Sequence, residues 1–165
     1  MRTKKIFLLT GIVLSIIMTG CSSVRGLTKE EKVAKEASLR DAIENRAYTI
    51  EVDRMIPMSG SSRTLTSLYS LEINDDKVKS HLPYFGRAYS VPYGGGQGLI
   101  FDSMITDYKS SFDSKGKAVI EFKTSTKEDQ FVYNVEIFTN GSTSINVKSN
   151  NRQQISFHGK ASSKK

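Results

Sequence analysis

Two periodicities divide the chain. Between Lys29 and Ala47 apolar residues recur at helical intervals, with Val33, Ala37, Leu39, Ile43 and Ala47 forming a narrow stripe among many charges. This stretch holds no Gly or Pro, and Thr28 with Glu31 fits a capping box, in which each side chain satisfies the other's backbone amide. The pattern predicts one helix over 28–47, either lying on a domain by its narrow apolar face or standing as a solvated stalk. After Ala47 the period changes to two. Tyr48, Ile50 and Val52 alternate with Thr49, Glu51 and Asp53, the pattern of a half-buried strand. The alternation returns at Leu65-Ser67-Tyr69-Leu71-Ile73, where Leu68 interrupts the polar face. It returns again at Ala118-Ile120-Phe122, Phe131-Tyr133-Val135-Ile137, Ile145-Val147 and Ile155-Phe157.

Turn chemistry separates these runs. Asn74-Asp75-Asp76, Lys127-Glu128-Asp129 and Asn150-Asn151 break successive pairs, Asp113-Ser114-Lys115-Gly116 suits a type I turn closing on a glycine bulge, and Asn140-Gly141 is a strong hairpin signal. A strand ending at His81 and another over Leu99-Ile100-Phe101 complete the series. The expected fold is mainly β: an antiparallel meander of about eight strands forming a sandwich or an open barrel, preceded by one N-terminal helix.

The first residues change the picture from fold to location. Arg2, Lys4 and Lys5 precede a short apolar run, Ile6 to Met18, which is shorter than the roughly 20 residues a spanning helix needs. Thr19 and Gly20 then precede Cys21, the single cysteine of the chain. Met18-Thr19-Gly20-Cys21 resembles the bacterial lipobox, with Met18 in place of the usual leucine, so Cys21 is the expected lipidation site. On this reading residues 1–20 are a signal peptide, 21–27 a lipid-anchored tether, 28–47 the helix, 48–160 the β-domain and 161–165 a basic tail. Ser22 follows the cysteine where an inner-membrane retention aspartate would stand, which favours an outer membrane with the domain facing the periplasm.

Charge narrows the partners. The chain carries 24 basic and 17 acidic residues, a formal +7, and removal of Arg2, Lys4 and Lys5 with the signal peptide lowers this to +4. No clustered basic face remains outside Lys164-Lys165, so nucleic acid is not an expected partner. The expected partners are the membrane, through lipidated Cys21, and an envelope protein or a small ligand.

The segment HLPYFGRAYSVPYGGGQGLIF, His81 to Phe101, concentrates the candidate chemistry. Tyr84, Phe85, Tyr89 and Tyr93 flank Arg87, with Pro83 and Pro92 stiffening the chain. Exposed, these rings could stack on a sugar or peptide while Arg87 offers a forked donor to a carboxylate. Buried, they would plug one end of the β-domain. The run Gly94-Gly95-Gly96-Gln97-Gly98 leads into an apparent strand with no following lysine, which fits a turn and not a phosphate cradle.

LPYFGRAYSVPYGGGQGLIF (82–101), EIFTNGSTSINVKSNNRQQISFHG (136–159) and the Leu68-Tyr69-Ser70-Leu71 strand together resemble the Bacteroidota lipoproteins and secreted proteins catalogued as domain of unknown function 4251. The resemblance runs from about residue 30 to 160. It implies an extracytoplasmic, mostly β domain behind a helix, in a bacterium with two membranes, and carries over no activity and no catalytic residues.

The remaining residues offer little catalysis. His81 and His158 are the only histidines, too few for a recognisable zinc site once Cys21 is committed to lipid. No metal, no cofactor and no enzymatic activity are expected. A hydrolase would need His81 or His158 beside a serine and a carboxylate, and Asp102 with Asp107 could act as a glycosidase-like pair only at suitable separation. Arg152 at the last hairpin is either a solvated turn residue or the partner of a carboxylate that locks this hairpin to the long loop.

Overall fold

The computed structural model describes residues 28–89 and 98–164. Helix α1 (Lys29–Glu44) is followed by β1 (Ala47–Pro57), β2 (Arg63–Asn74), β3 (Lys77–Leu82), β4 (Leu99–Phe112), β5 (Ala118–Ser125), β6 (Gln130–Ile137), β7 (Ser142–Ser149) and β8 (Ile155–Ser163). Each strand pairs antiparallel with its successor, and β8 pairs with β1, so the expected eight-strand meander closes into one barrel. Closure leaves no outermost strand in the order.

The alternation along the strands decides which face points inward. Ile120, Phe122, Tyr133, Val135, Ile145, Val147 and Phe157 are buried in the barrel with Tyr48, Ile50, Leu71 and Ile73. Burying each such side chain contributes about 1.5–3 kcal/mol, which makes this interior the main source of stability. Phe122 and Tyr133 stack within it at 4.9 Å between ring centroids. The outer wall carries exposed Glu51, Lys79, Asp102, Lys123, Lys148 and Lys160. That distribution is the inverse of a lipid-facing barrel. Among the described residues no helix is long and apolar enough to cross a membrane.

Two corrections concern the ends. The helix stops at Glu44, three residues short of the expected 47. Asn45 caps it with its side-chain amide donating to the Asp41 carbonyl, and Arg46 at φ +51 turns the chain into β1. The expected basic tail over 161–165 is strand as far as Ser163, where Tyr48↔Ser163 and Ile50↔Ala161 pair β8 with β1. Ala161 is buried, and the Lys164 amide donates to the Ala47 carbonyl at 3.1 Å. The barrel needs those residues to close, which no local property of Ala161-Ser162-Ser163 announces.

Helix α1 divides the two readings offered for it. Its capping box is formed, with Thr28 N–H donating to Glu31 Oε2 and Glu31 N–H to Thr28 Oγ1. Leu39, Ala42 and Ile43 in the C-terminal half are buried against the barrel, and the Arg40 guanidinium lies 4.3 Å from the Phe112 ring. Lys29 to Ser38 are exposed throughout, and Val33 of the expected stripe is 66% exposed. The helix therefore covers one end of the barrel with its last two turns and projects its first half beyond.

The Asn140-Gly141 hairpin forms with a larger turn than the pair alone suggests. Gly141 N–H donates to Phe138 O and Phe138 N–H to Ser142 O, so Asn-Gly occupies the end of a type I turn with a bulge. Asp113 to Lys117 repeats that pattern, with Gly116 N–H donating to Asp113 O. Two further backbone amides, Lys117 N–H and Lys115 N–H, donate to the Asp113 carboxylate, which holds the carboxyl below its ordinary pKa.

Candidate functional site

At the barrel end opposite α1 three connections meet: the β3–β4 segment, the β5–β6 turn and the β7–β8 turn. Their assembly starts from a mismatch in strand length. β4 runs from Leu99 to Phe112, but β5 pairs only with its half from Ile105 onward. The Leu99–Met104 half pairs with β3 alone, leaving its other edge without a strand neighbour. Arg152, from the β7–β8 turn, reaches across to the residue that precedes this half of β4. Its Nη1 donates to the Gly98 carbonyl at 2.8 Å, its Nε lies 3.8 Å from Asp129 Oδ2, and its guanidinium lies over the Tyr84 ring at 5.4 Å.

Asp129 is the anchor of this end. Its side chain is 2% exposed, and it accepts from the backbone amides of Gln130, Asn150 and Asn151 and from the Ser149 hydroxyl. The sequence marks Asp129 as a turn residue bonding backbone amides, which it is. Its burial and its contact with Arg152 were not legible. The Arg152 expectation of a carboxylate partner and a lock on the long loop is met by Asp129 and Gly98.

Gly98 itself stands at φ +84, and a Cβ there would come within 2.9 Å of the Leu82 carbonyl. Only glycine can therefore pass so close to β3 as the chain enters β4. It leads into a strand, as the sequence predicts.

The candidate aromatic residues separate by role. Tyr84 is half-buried, with its hydroxyl within hydrogen-bond reach of the Arg87 and Gln153 carbonyls at 2.9 and 3.1 Å. Burial raises the Tyr84 phenol's pKa, while the Arg152 charge opposes the shift. The backbone beyond it is clamped to the β7–β8 turn: Tyr89 N–H donates to Asn151 O, Gln153 N–H to Arg87 O, and Ala88 bridges Arg152. The side chains of Phe85, Arg87 and Tyr89 remain on the surface, Phe85 at 48% and Tyr89 at 67% exposed. Arg63 of β2 lays its guanidinium 3.7 Å from the centroid of Phe85. Thus Tyr84 and the Arg87 backbone belong to the closure, whereas Phe85, the Arg87 side chain and Tyr89 form an outward face. Tyr93 and the glycines at 94–96 lie outside the described residues, as do Cys21 and the signal and tether segments.

The histidines fall elsewhere. His81 lies against Tyr69 with the rings tilted at 46° and 5.4 Å between centroids, and His158 stands exposed on β8, paired across the ladder with Arg54 and Ser144. Asp107 is bound by Lys123 Nζ at 2.8 Å, and Asp102 lies opposite Lys79 on β3. Among the described residues no three His, Cys, Asp or Glu side chains gather as a metal site would require.

The fold and this end define a small closed antiparallel β-barrel, capped by a helix at one end and by an arginine-latched segment at the other. The family model for DUF4251, described as a domain of unknown function, matches residues 30–161, and the chain belongs to that family. A DUF4251 family protein from Bacteroides eggerthii DSM 20697 has a similar crystal structure, with a TM-score of 0.60 at 16% identity over 80% of this chain and 91% of that one. No functionally curated protein matches.

Proposed function

We propose that the protein is a lipoprotein of the cell envelope, anchored through Cys21 to the periplasmic leaflet of an outer membrane, whose barrel is a non-enzymatic binding module. The reading is carried by the outward face of Phe85, Arg87 and Tyr89, presented on a backbone that the β7–β8 turn holds rigid. Exposed aromatic rings beside arginines suit a carboxylate-bearing or sugar-bearing partner, and a clamped backbone lowers the entropy lost on binding. The lipobox and the position of α1 support the anchoring: a tether leading into Lys29 joins the helix, which covers the end away from this face.

A second reading, a structural lipoprotein acting by protein contact alone, draws on the depth of the Arg152–Asp129 latch, which gives the segment an architectural purpose. Two variants separate them. Tyr89→Ala, at a side chain 67% exposed, should leave the melting temperature unchanged, Phe85→Ala should lower it only slightly through the lost Arg63 contact, and both should abolish capture of an envelope partner. Loss of stability without loss of capture would assign the segment to architecture. For anchoring, Cys21→Ala should shift the protein from the membrane fraction to the soluble periplasmic fraction, and unchanged fractionation would overturn the lipoprotein reading.

A further inference from the structure

A groove of about 580 Å³ opens on the barrel wall beside the β2–β3 turn, at the other end of β3 from the latched segment. Glu72 of β2, Lys77 and Lys79 of β3, Asp102 and Met104 of β4, and Lys164 beyond β8 line it. Strand alternation puts them there. Val78, Ser80 and Leu82 turn into the core, so Lys77 and Lys79 turn outward. The register then sets the charges in rows. Glu72, Lys79 and Asp102 stand opposite one another on three adjacent strands, and Asn74, Lys77 and Met104 form the next row. Lys164 Nζ lies 3.7 Å from Glu72 Oε2, whereas Lys77 and Lys79 enter no ion pair among the described residues. The volume falls in the range of small-molecule sites.

We infer that this groove binds a zwitterionic peptide of about dipeptide length, with its ammonium beside Asp102 and its carboxylate beside Lys77. The site is separate from the Phe85, Arg87 and Tyr89 face and goes beyond the reading that rests on that face. The mixed lining decides the charge. A simple anion would meet Glu72 and Asp102, and a simple cation would meet three lysines, so a ligand carrying both signs avoids the repulsion that rejects the other two. The lining holds no aromatic ring, so it offers a sugar no stacking platform. Lys79 stands between two carboxylates, which leaves Lys77, with Asn74 and Met104 opposite, as the cation open to the ligand. Spacing decides the length. Lys77 pairs with Met104, so Asp102 is its diagonal neighbour on the same face, about 7–8 Å away. An extended chain spans at most about 3.3–3.6 Å per residue, so two residues carry their terminal charges about 7 Å apart. Met104, 55% exposed, offers its thioether to an apolar side chain of the ligand.

The test titrates the full chain in mild detergent with alanyl-leucine by calorimetry and follows the backbone amide shifts by NMR. Binding should shift the amides of 72–79 and 102–104. N-acetyl-alanyl-leucine, which lacks the ammonium, and alanyl-leucinamide, which lacks the carboxylate, should each bind about ten-fold or more weakly. Asp102→Asn and Lys77→Gln change exposed side chains and should keep the melting temperature. In Asp102→Asn acetylation should no longer weaken binding, and in Lys77→Gln amidation should no longer do so, as direct pairing requires. Tyr89→Ala should bind the dipeptide unchanged. No binding, equal binding of the free and blocked dipeptides, blocking penalties that persist in both variants, or loss of binding in Tyr89→Ala would each overturn the proposal. Weakening by amidation alone would reduce the groove to a carboxylate site and sink the zwitterion.

Discussion

Replacing Arg152 by alanine tests whether the latched end is held by the contacts described. Two losses follow. The half-buried Gly98 carbonyl loses its 2.8 Å donor, and where a buried acceptor left unmatched costs about 1–3 kcal/mol, this one falls toward the lower end. Asp129 loses the nearby cation, and breaking a buried pair typically costs about 3–5 kcal/mol. The second loss is smaller here, because Nε and Oδ2 are 3.8 Å apart, and the carboxylate keeps three backbone amides and the Ser149 hydroxyl. Together the change amounts to about 3 kcal/mol, a fall of roughly 10 °C in melting temperature for a domain of this size. Urea denaturation followed by circular dichroism measures it, with Arg152→Met separating the guanidinium's bonds from the packing of the aliphatic stem. Asp129→Asn and the double variant close a cycle whose coupling should reach about 1 kcal/mol, as for residues in one polar network. Amide exchange should accelerate at Tyr89 and Gln153, whose N–H groups clamp the segment to the turn. A destabilisation under about 0.5 kcal/mol, or strict additivity of the two changes, would reduce the latch to an ordinary surface pair and refute the reasoning.

Two further outcomes follow from the barrel. Gly159→Ala should prevent correct closure or destabilise by several kcal/mol, since a Cβ there would sit 2.0 Å from the Glu51 carbonyl where β8 crosses the β1 bulge; normal folding by circular dichroism would contradict the crossing. Burial raises the phenol pKa values of Tyr48, Tyr108 and Tyr133 above the ordinary 10.0. Their contribution is complete below about pH 10 and is lost as pH climbs toward the folded-state values. Tyrosinate absorbance for these three should therefore appear together with unfolding, and smooth ionisation with the fold intact would count against their burial.

Much of the fold is legible in local pattern, because side-chain alternation and turn chemistry act over a few residues. Thr28 and Glu31 cap a helix whatever it packs on, and Phe131-Tyr133-Val135-Ile137 faces one way in any strand. The extent of the helix was less legible: Val33 and Ile43 share the same stripe, yet only Ile43 meets the barrel. At the candidate site the aromatic content of 84–89 was plain, while the division between Tyr84 and its neighbours was not. That division depends on the Gln153 carbonyl, more than sixty residues away, lying within hydrogen-bond reach of the Tyr84 hydroxyl, and on Arg152 lying over its ring. Asp129 shows the same limit, since a turn aspartate and a buried anchor read alike in sequence.

The sequence by itself determined a helix, a series of antiparallel strands with their inward faces, the turns that join them, and membership of a family carried by its aromatic and C-terminal segments. Those properties follow from interactions between residues close along the chain. Only the tertiary structure decided that the meander closes, that Ala161 to Ser163 complete the ring with β1, that β5 leaves the first half of β4 uncovered, and that Arg152 joins Gly98 to Asp129. Each depends on how far one strand outruns its neighbour, and strand overlap is set by the shear of the whole barrel, a quantity no local stretch of residues contains.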